Sequence, residues 1–252
     1  MESKFNVRRI TNLLRYELVL SKQPLLIGIL GVAAFILAIS AMASSVEPRG
    51  LVRADTMKTI YILMMSFGAA IITSFSFHRI STKGGAMNYL SLPASREEKF
   101  LVIFLSTSFI YPLVVTLIFL KVQAIAKLGW MMTGGEFQLY NPLIINDYET
   151  LKYVTLAYFS MHAYYFLGSI LFKKYSFLKS TVAFFVLTFV IWLVGVIVFF
   201  LVVGTIEAQN FSFQFNDEII LEKLGFIGQS VIVLIFLGLW ALSFLKFKKK
   251  EV

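Results

Sequence analysis

His162 is the only ionisable residue near the middle of an apolar run, Tyr153–Phe172, in a chain that is 58% hydrophobic. A histidine at such a depth can relay a proton, face a ligand or bond neighbouring helices. Tyr158, Tyr164 and Tyr165 lie close in sequence and offer hydroxyl partners. That pattern favours a neutral imidazole bonded within a bundle; a substrate-facing role is the alternative. The second stretch with chemical character is KGGAMNYLSLPASREEKF, residues 83–100. It places Ser95 three residues before Glu98, the spacing at which a hydroxyl and a carboxylate reciprocally cap the start of a helix.

Several chemistries lack their residues. No Asp or Glu falls inside an expected span, so the acid that usually holds a coupling proton or sodium ion is missing. The phosphate-cradling G-x-x-x-x-G-K-[ST] pattern does not occur, nor does H-E-x-x-H or G-x-S-x-G. The chain has no cysteine and only two histidines, which lie far apart, so no metal centre is expected. The expectation is a protein that is not an enzyme and carries no metal or cofactor. Any work it performs draws energy from another polypeptide.

The elements that must position these residues are membrane spans. Only 15% of residues are charged and mean hydropathy is +0.81, whereas a soluble domain keeps roughly a quarter charged. Six runs are near span length: 24–43, 59–77, 100–120, 153–172, 181–204 and 226–245. The expected fold is an all-α polytopic membrane protein in one transmembrane domain, 1–252. Ala41-Met42-Ala43 has the look of a signal-peptidase site, but the apolar run before it is too long, so an uncleaved span is expected. Residues 1–22 hold an amphipathic segment, with Ile10, Leu13, Leu14 and Leu18 on one face and Arg8, Asn12 and Arg15 on the other. This reads as a helix in the inner interface, against anionic lipid.

Placing both termini inside puts most of the 23 lysines and arginines on that side, including the tail 246–252. The net charge of +9 is thereby assigned to topology, and nucleic acid is not an expected partner. Gly31, Ala34, Ala38 and Ala41 form a small-residue stripe on the first span, expected to pack within the subunit, with a dimer contact as the alternative. Outside, Lys121–Lys152 carries Trp130, Tyr140 and Tyr148, with Tyr153 just beyond its end, suited to a headgroup-level belt. In Thr205–Gly225, Phe211, Phe213 and Phe215 alternate with polar residues, and a short external helix closing at Gly225 is expected before the last span.

Within residues 83–100, Gly84-Gly85 breaks the incoming helix and Ala86–Leu92 can form a short one. Pro93 ends it and Ser95 with Glu98 starts the next. The passage Met87–Leu101 resembles the corresponding loop of ABC-2-type transporter membrane subunits, in particular small bacterial six-span permeases. Those proteins have a connecting helix before span one (here Val7–Leu20), a coupling helix between spans two and three (about Gly85–Leu92) and a short external element before span six (Phe211–Leu224).

The resemblance implies a permease subunit of an exporter in the bacterial cytoplasmic membrane. It implies a separate cytoplasmic ATPase, which holds the ATP and magnesium, and a second permease copy, identical or a sister chain. ATPase contacts would come from Gly85, Met87, Asn88, Tyr89, Leu90, Ser91 and Leu92. The other reading is a non-transporting membrane scaffold or immunity protein that binds a partner or a toxic peptide.

Overall fold

A computed structural model of the chain describes residues 6–20, 22–46, 51–78, 85, 87, 89, 91–132, 134–143, 148–204 and 218–250. Among the described residues the chain is helix and connecting segments, with one isolated bridge pair, Val52 with Phe137. The helices are α1 (Val7–Leu20), α2 (Lys22–Val46), α3 (Ala54–Ser74), α4 (Arg96–Leu105), α5 (Tyr111–Met132), α6 (Tyr148–Leu171), α7 (Ser176–Gly204) and α8 (Glu218–Lys250). A five-residue π-turn, Ser106–Ile110, joins α4 and α5 into one helix of 37 residues.

Among the described residues, four helices are long and apolar enough to cross a membrane: Ala54–Ser74, Arg96–Met132, Ser176–Val198 and Gly228–Lys249. With the overall hydropathy, they mark a helical membrane protein. The other two expected spans fall on α2, where Ala33–Met42 is apolar, and on α6. Helix α6 is less apolar because it is the centre of the bundle, packed against α3, α8 and α7. Its polar groups bond to neighbouring helices, so the segment need not be greasy to be buried. Helix α7 is the opposite case: its most apolar stretch buries nothing against the rest of the bundle. Lipid tails are as apolar as its side chains, so no hydrophobic force draws it inward.

Two apolar clusters hold the ends together. One gathers Ile36, Val52, Met57, Ile60, Val115, Phe119 and Phe137. The other gathers Phe77, Tyr89, Ile103, Phe166, Ile170 and Phe247. At the first end, the segment after α5 folds back as a cap. Val52 N–H donates to Glu136 O at 2.9 Å, and Gln138 N–H to Val52 O at 2.8 Å. The buried amide of Gln123 grips both backbone groups of Tyr140, donating to its carbonyl at 2.7 Å and accepting from its N–H at 3.1 Å. Helix α6 meets α7 closely where Gly168 faces Ser180; a Cβ at Gly168 would overlap the Ser180 hydroxyl.

Several sequence expectations change. The small-residue stripe is turned outward: Gly31, Ala34, Ala38 and Ala41 are exposed, and α2 packs through Ile36 and Ser40. The span expected to end at Leu120 continues as helix to Met132, because Gln123 and Ala126 are buried beneath the cap. Trp130 and Tyr140, the expected belt residues, are half-buried and also pack within the chain, against Phe137 at 5.8 Å and Tyr61 at 6.1 Å. Helix α8 runs unbroken from Glu218 through Gly225; one glycine costs only about 1 kcal/mol in a helix interior and does not stop a long one. The alternating stretch Phe211–Phe215 lies outside the described residues.

Candidate functional site

Two places bear the chemistry: the end of the bundle around Met87–Glu98, and the mid-bundle surroundings of His162.

At the bundle end the capping box forms. Ser95 is the N-cap of α4; its Oγ accepts from Glu98 N–H at 3.1 Å, and its own N–H donates to Glu98 Oε2 at 2.8 Å. The carboxylate has a second use. Its Oε1 accepts from Asn6 N–H at 2.9 Å, while Asn6 Oδ1 caps α1 by accepting from Arg8 N–H at 2.9 Å. One buried side chain thus closes the starts of two helices, through a bond between residues 92 apart in sequence. Glu98 precedes the apolar span. Burial pushes its carboxyl up, but the N–H groups of Ser95 and Asn6, the Arg9 charge and the Ser95 hydroxyl prevail. Together they hold it below the usual carboxylate range.

The segment expected to form a short helix before Pro93 is described only in part. Gly85, Met87 and Tyr89 are helical, and Ser91 N–H donates to Met87 O at 3.0 Å. Asn88 and Leu90 lie outside the described residues. Tyr89 points inward, 4% exposed, with its hydroxyl donating to Lys99 O at 3.3 Å and Lys99 Nζ 5.3 Å from its ring centre. Met87 points the other way, 74% exposed. Ser91 is exposed, while Gly85 and Leu92 are half-buried. Arg96 Nη1 donates to Lys248 O at 3.4 Å, which joins the end of α8 to the start of α4. The outward surface therefore centres on Met87 and Ser91, and Tyr89 serves the core beneath it.

At mid-bundle, His162 is fully buried. Its partners are not the tyrosines that the sequence suggested. Nε2 lies 2.9 Å from Thr107 Oγ1 and 3.1 Å from Ser108 Oγ, and Nδ1 accepts from Trp240 Nε1–H at 3.1 Å. Tyr158 instead donates to Thr107 O. Tyr164 donates to Ser180 O at 2.9 Å, and Tyr165 pairs with Thr181 Oγ1 at 3.1 Å. Phe166 stacks on the imidazole at 5.2 Å, and Phe104 and Trp240 meet it edge-on. Thr107, Ser108 and Trp240 were not singled out from the sequence. The signal for the first two is the polar triplet Ser106-Thr107-Ser108 in a greasy helix just ahead of Pro112. Trp240 has no such local mark. Among the described residues no group of His, Cys, Asp and Glu side chains is arranged to hold a metal.

Comparison of the chain with protein-family models, with curated proteins and with solved structures returned no match.

Proposed function

We infer that the chain is the membrane-spanning permease subunit of an ABC exporter of the ABC-2 type. A separate cytoplasmic ATPase docks on the segment 83–100. The six spans are 24–43, 59–77, 100–120, 153–172, 181–204 and 226–245, with both termini cytoplasmic. Two permease copies, identical or sister, form the path, and ATP and magnesium belong to the partner.

The observation that carries this reading is the construction of the bundle end. A short helical segment stopped at Pro93 offers an exposed apolar residue, Met87. Immediately behind it, Glu98 ties α4 to α1 and Arg96 ties it to α8. A surface element that rests on α4 through the Tyr89–Lys99 bond, with α4 itself tied to α1 and α8, passes on a push that a dangling loop would absorb. The exposed Met suits a partner groove, since its flexible, polarizable side chain adapts to irregular apolar surfaces.

The test is purification of the tagged chain from its native membrane in mild detergent, with proteins identified by mass spectrometry. An ATPase bearing a G-x-x-x-x-G-K-[ST] loop should accompany the parent chain and be lost from Met87→Asp, which changes an exposed side chain and leaves the core intact. If Met87→Asp retains the ATPase at the parental level, the docking surface is elsewhere. If no such ATPase accompanies the parent, the exporter reading fails.

A further inference from the structure

The docking reading leaves the His162 cluster unused, and that cluster sits where the longest helix loses its regular bonding. Pro112 has no N–H. In an α-helix it would leave Ser108 O without a donor, and in a π-turn it leaves Thr107 O without one. The chain takes the second course: Tyr111 N–H reaches back five residues to Ser106 O, and Thr107 O accepts the Tyr158 hydroxyl instead. A neighbouring helix has supplied the bond that proline withholds, as buried membrane backbone requires.

The imidazole then fastens the same turn to a third helix. An indole N–H can only donate, so Nδ1 of His162 accepts from Trp240 and the ring proton sits on Nε2. The Thr107 hydroxyl already donates to Ile103 O at 3.0 Å, so it accepts from Nε2–H. Every polar atom of the ring is thereby committed. One side chain of α6 clasps the π-turn on one edge and α8 on the other.

We propose that Ser106–Ile110 is a hinge between α4 and α5, and that His162, as its Nε2–H tautomer, is the positioning residue that latches it to α8 through Trp240. Proline and π-turns are the usual sources of helix kinks above ~20°. Helix α4 is ten residues long, about 15 Å, so a 20° swing at the turn carries its far end through about 5 Å. That far end holds Ser95 and Glu98. With the latch made, the bundle end is fixed to the rest of the molecule; with it open, the end moves.

The chain has no cysteine, so spin labels can be placed at Glu97→Cys on α4 and Lys174→Cys in the turn that follows α6 at the same end of the bundle in the purified full-length protein. Pulsed dipolar spectroscopy should give a narrow distance distribution for the parent. Trp240→Phe keeps an aromatic side chain but loses the donor N–H together with the five-membered half of the indole, and His162→Gln reaches one side of the clasp at most. Each should shift the mean by several ångströms or at least double the width. An unchanged mean and width in both variants, with parental elution and helix content, overturns the hinge. A second measurement needs no disruption of the latch. With His78→Gln, His162 is the sole histidine, and its ring ¹⁵N shifts should report the Nε2–H tautomer; the Nδ1–H form or an imidazolium overturns the latch. Both readouts are internal to the purified chain, so they stand or fall independently of any ATPase.

Discussion

Glu98 is a side chain whose charge state matters to more than its own helix. It satisfies N–H groups at the starts of α1 and α4 from one buried carboxylate. Its folded-state pKa is depressed, so the ionised form is favoured by folding. The stabilisation is complete above the ordinary carboxylate value, about 4.3, and is lost as pH falls through the lower folded value. The parent chain should therefore lose melting temperature on acidification below about pH 5, beyond any loss shown by Glu98→Gln. Glu98→Ala, which takes the charged acceptor from two part-buried N–H donors, should cost about 1–3 kcal/mol at neutral pH. Thermal unfolding in detergent across pH checks both. Parallel acid profiles for parent and Glu98→Gln would remove the carboxylate from the account.

The elements show which features a sequence reveals. The Ser95–Glu98 box was legible because all its atoms lie within one turn and need no tertiary partner. The small-residue stripe on α2 turns outward instead of packing within the subunit, because spacing defines a face but does not say which neighbour it meets. Gly225 was misread because a local helix-breaking tendency was set against a long apolar helix that overrides it. The π-turn stands between these cases. Pro112 announces a disturbance, but its form is decided by Tyr158 and His162, some fifty residues away. This argues a prediction about Pro112→Ala. Restoring the missing N–H is worth about 3 kcal/mol in a regular helix. Closing the turn, however, would rotate α5 by about 100°. That would pull Val115 and Phe119 out of the core, Thr116 from its 3.0 Å bond to Tyr61, and Gln123 from its grip on Tyr140. The tertiary side wins, so Pro112→Ala should keep the π-turn. Val115→Cys should stay as protected from maleimide in that variant as in the parent, within twofold. A several-fold rise would show that the proline alone sustains the turn.

At the scale of the molecule, the two ends differ in construction as well as charge. The end holding Glu98 also gathers Arg8, Arg9, Arg96, Lys173, Lys174, Lys248 and Lys249, around the cluster of Phe77, Tyr89, Phe166 and Phe247. The other end is closed by the Val52–Phe137 pairing and the Gln123 clamp. Lysine and arginine near span ends are retained on the cytoplasmic side, so the basic end should face the cytoplasm and the capped end the exterior. A chain without cysteine makes this a direct measurement. Glu136→Cys, exposed on the cap, should react with a membrane-impermeant maleimide in intact cells. Lys174→Cys, exposed in the turn between α6 and α7, should react only after permeabilisation. The reverse pattern would place Met87 and its surroundings outside the cell. No cytoplasmic ATPase could then reach them, and the docking proposal would fall with the orientation.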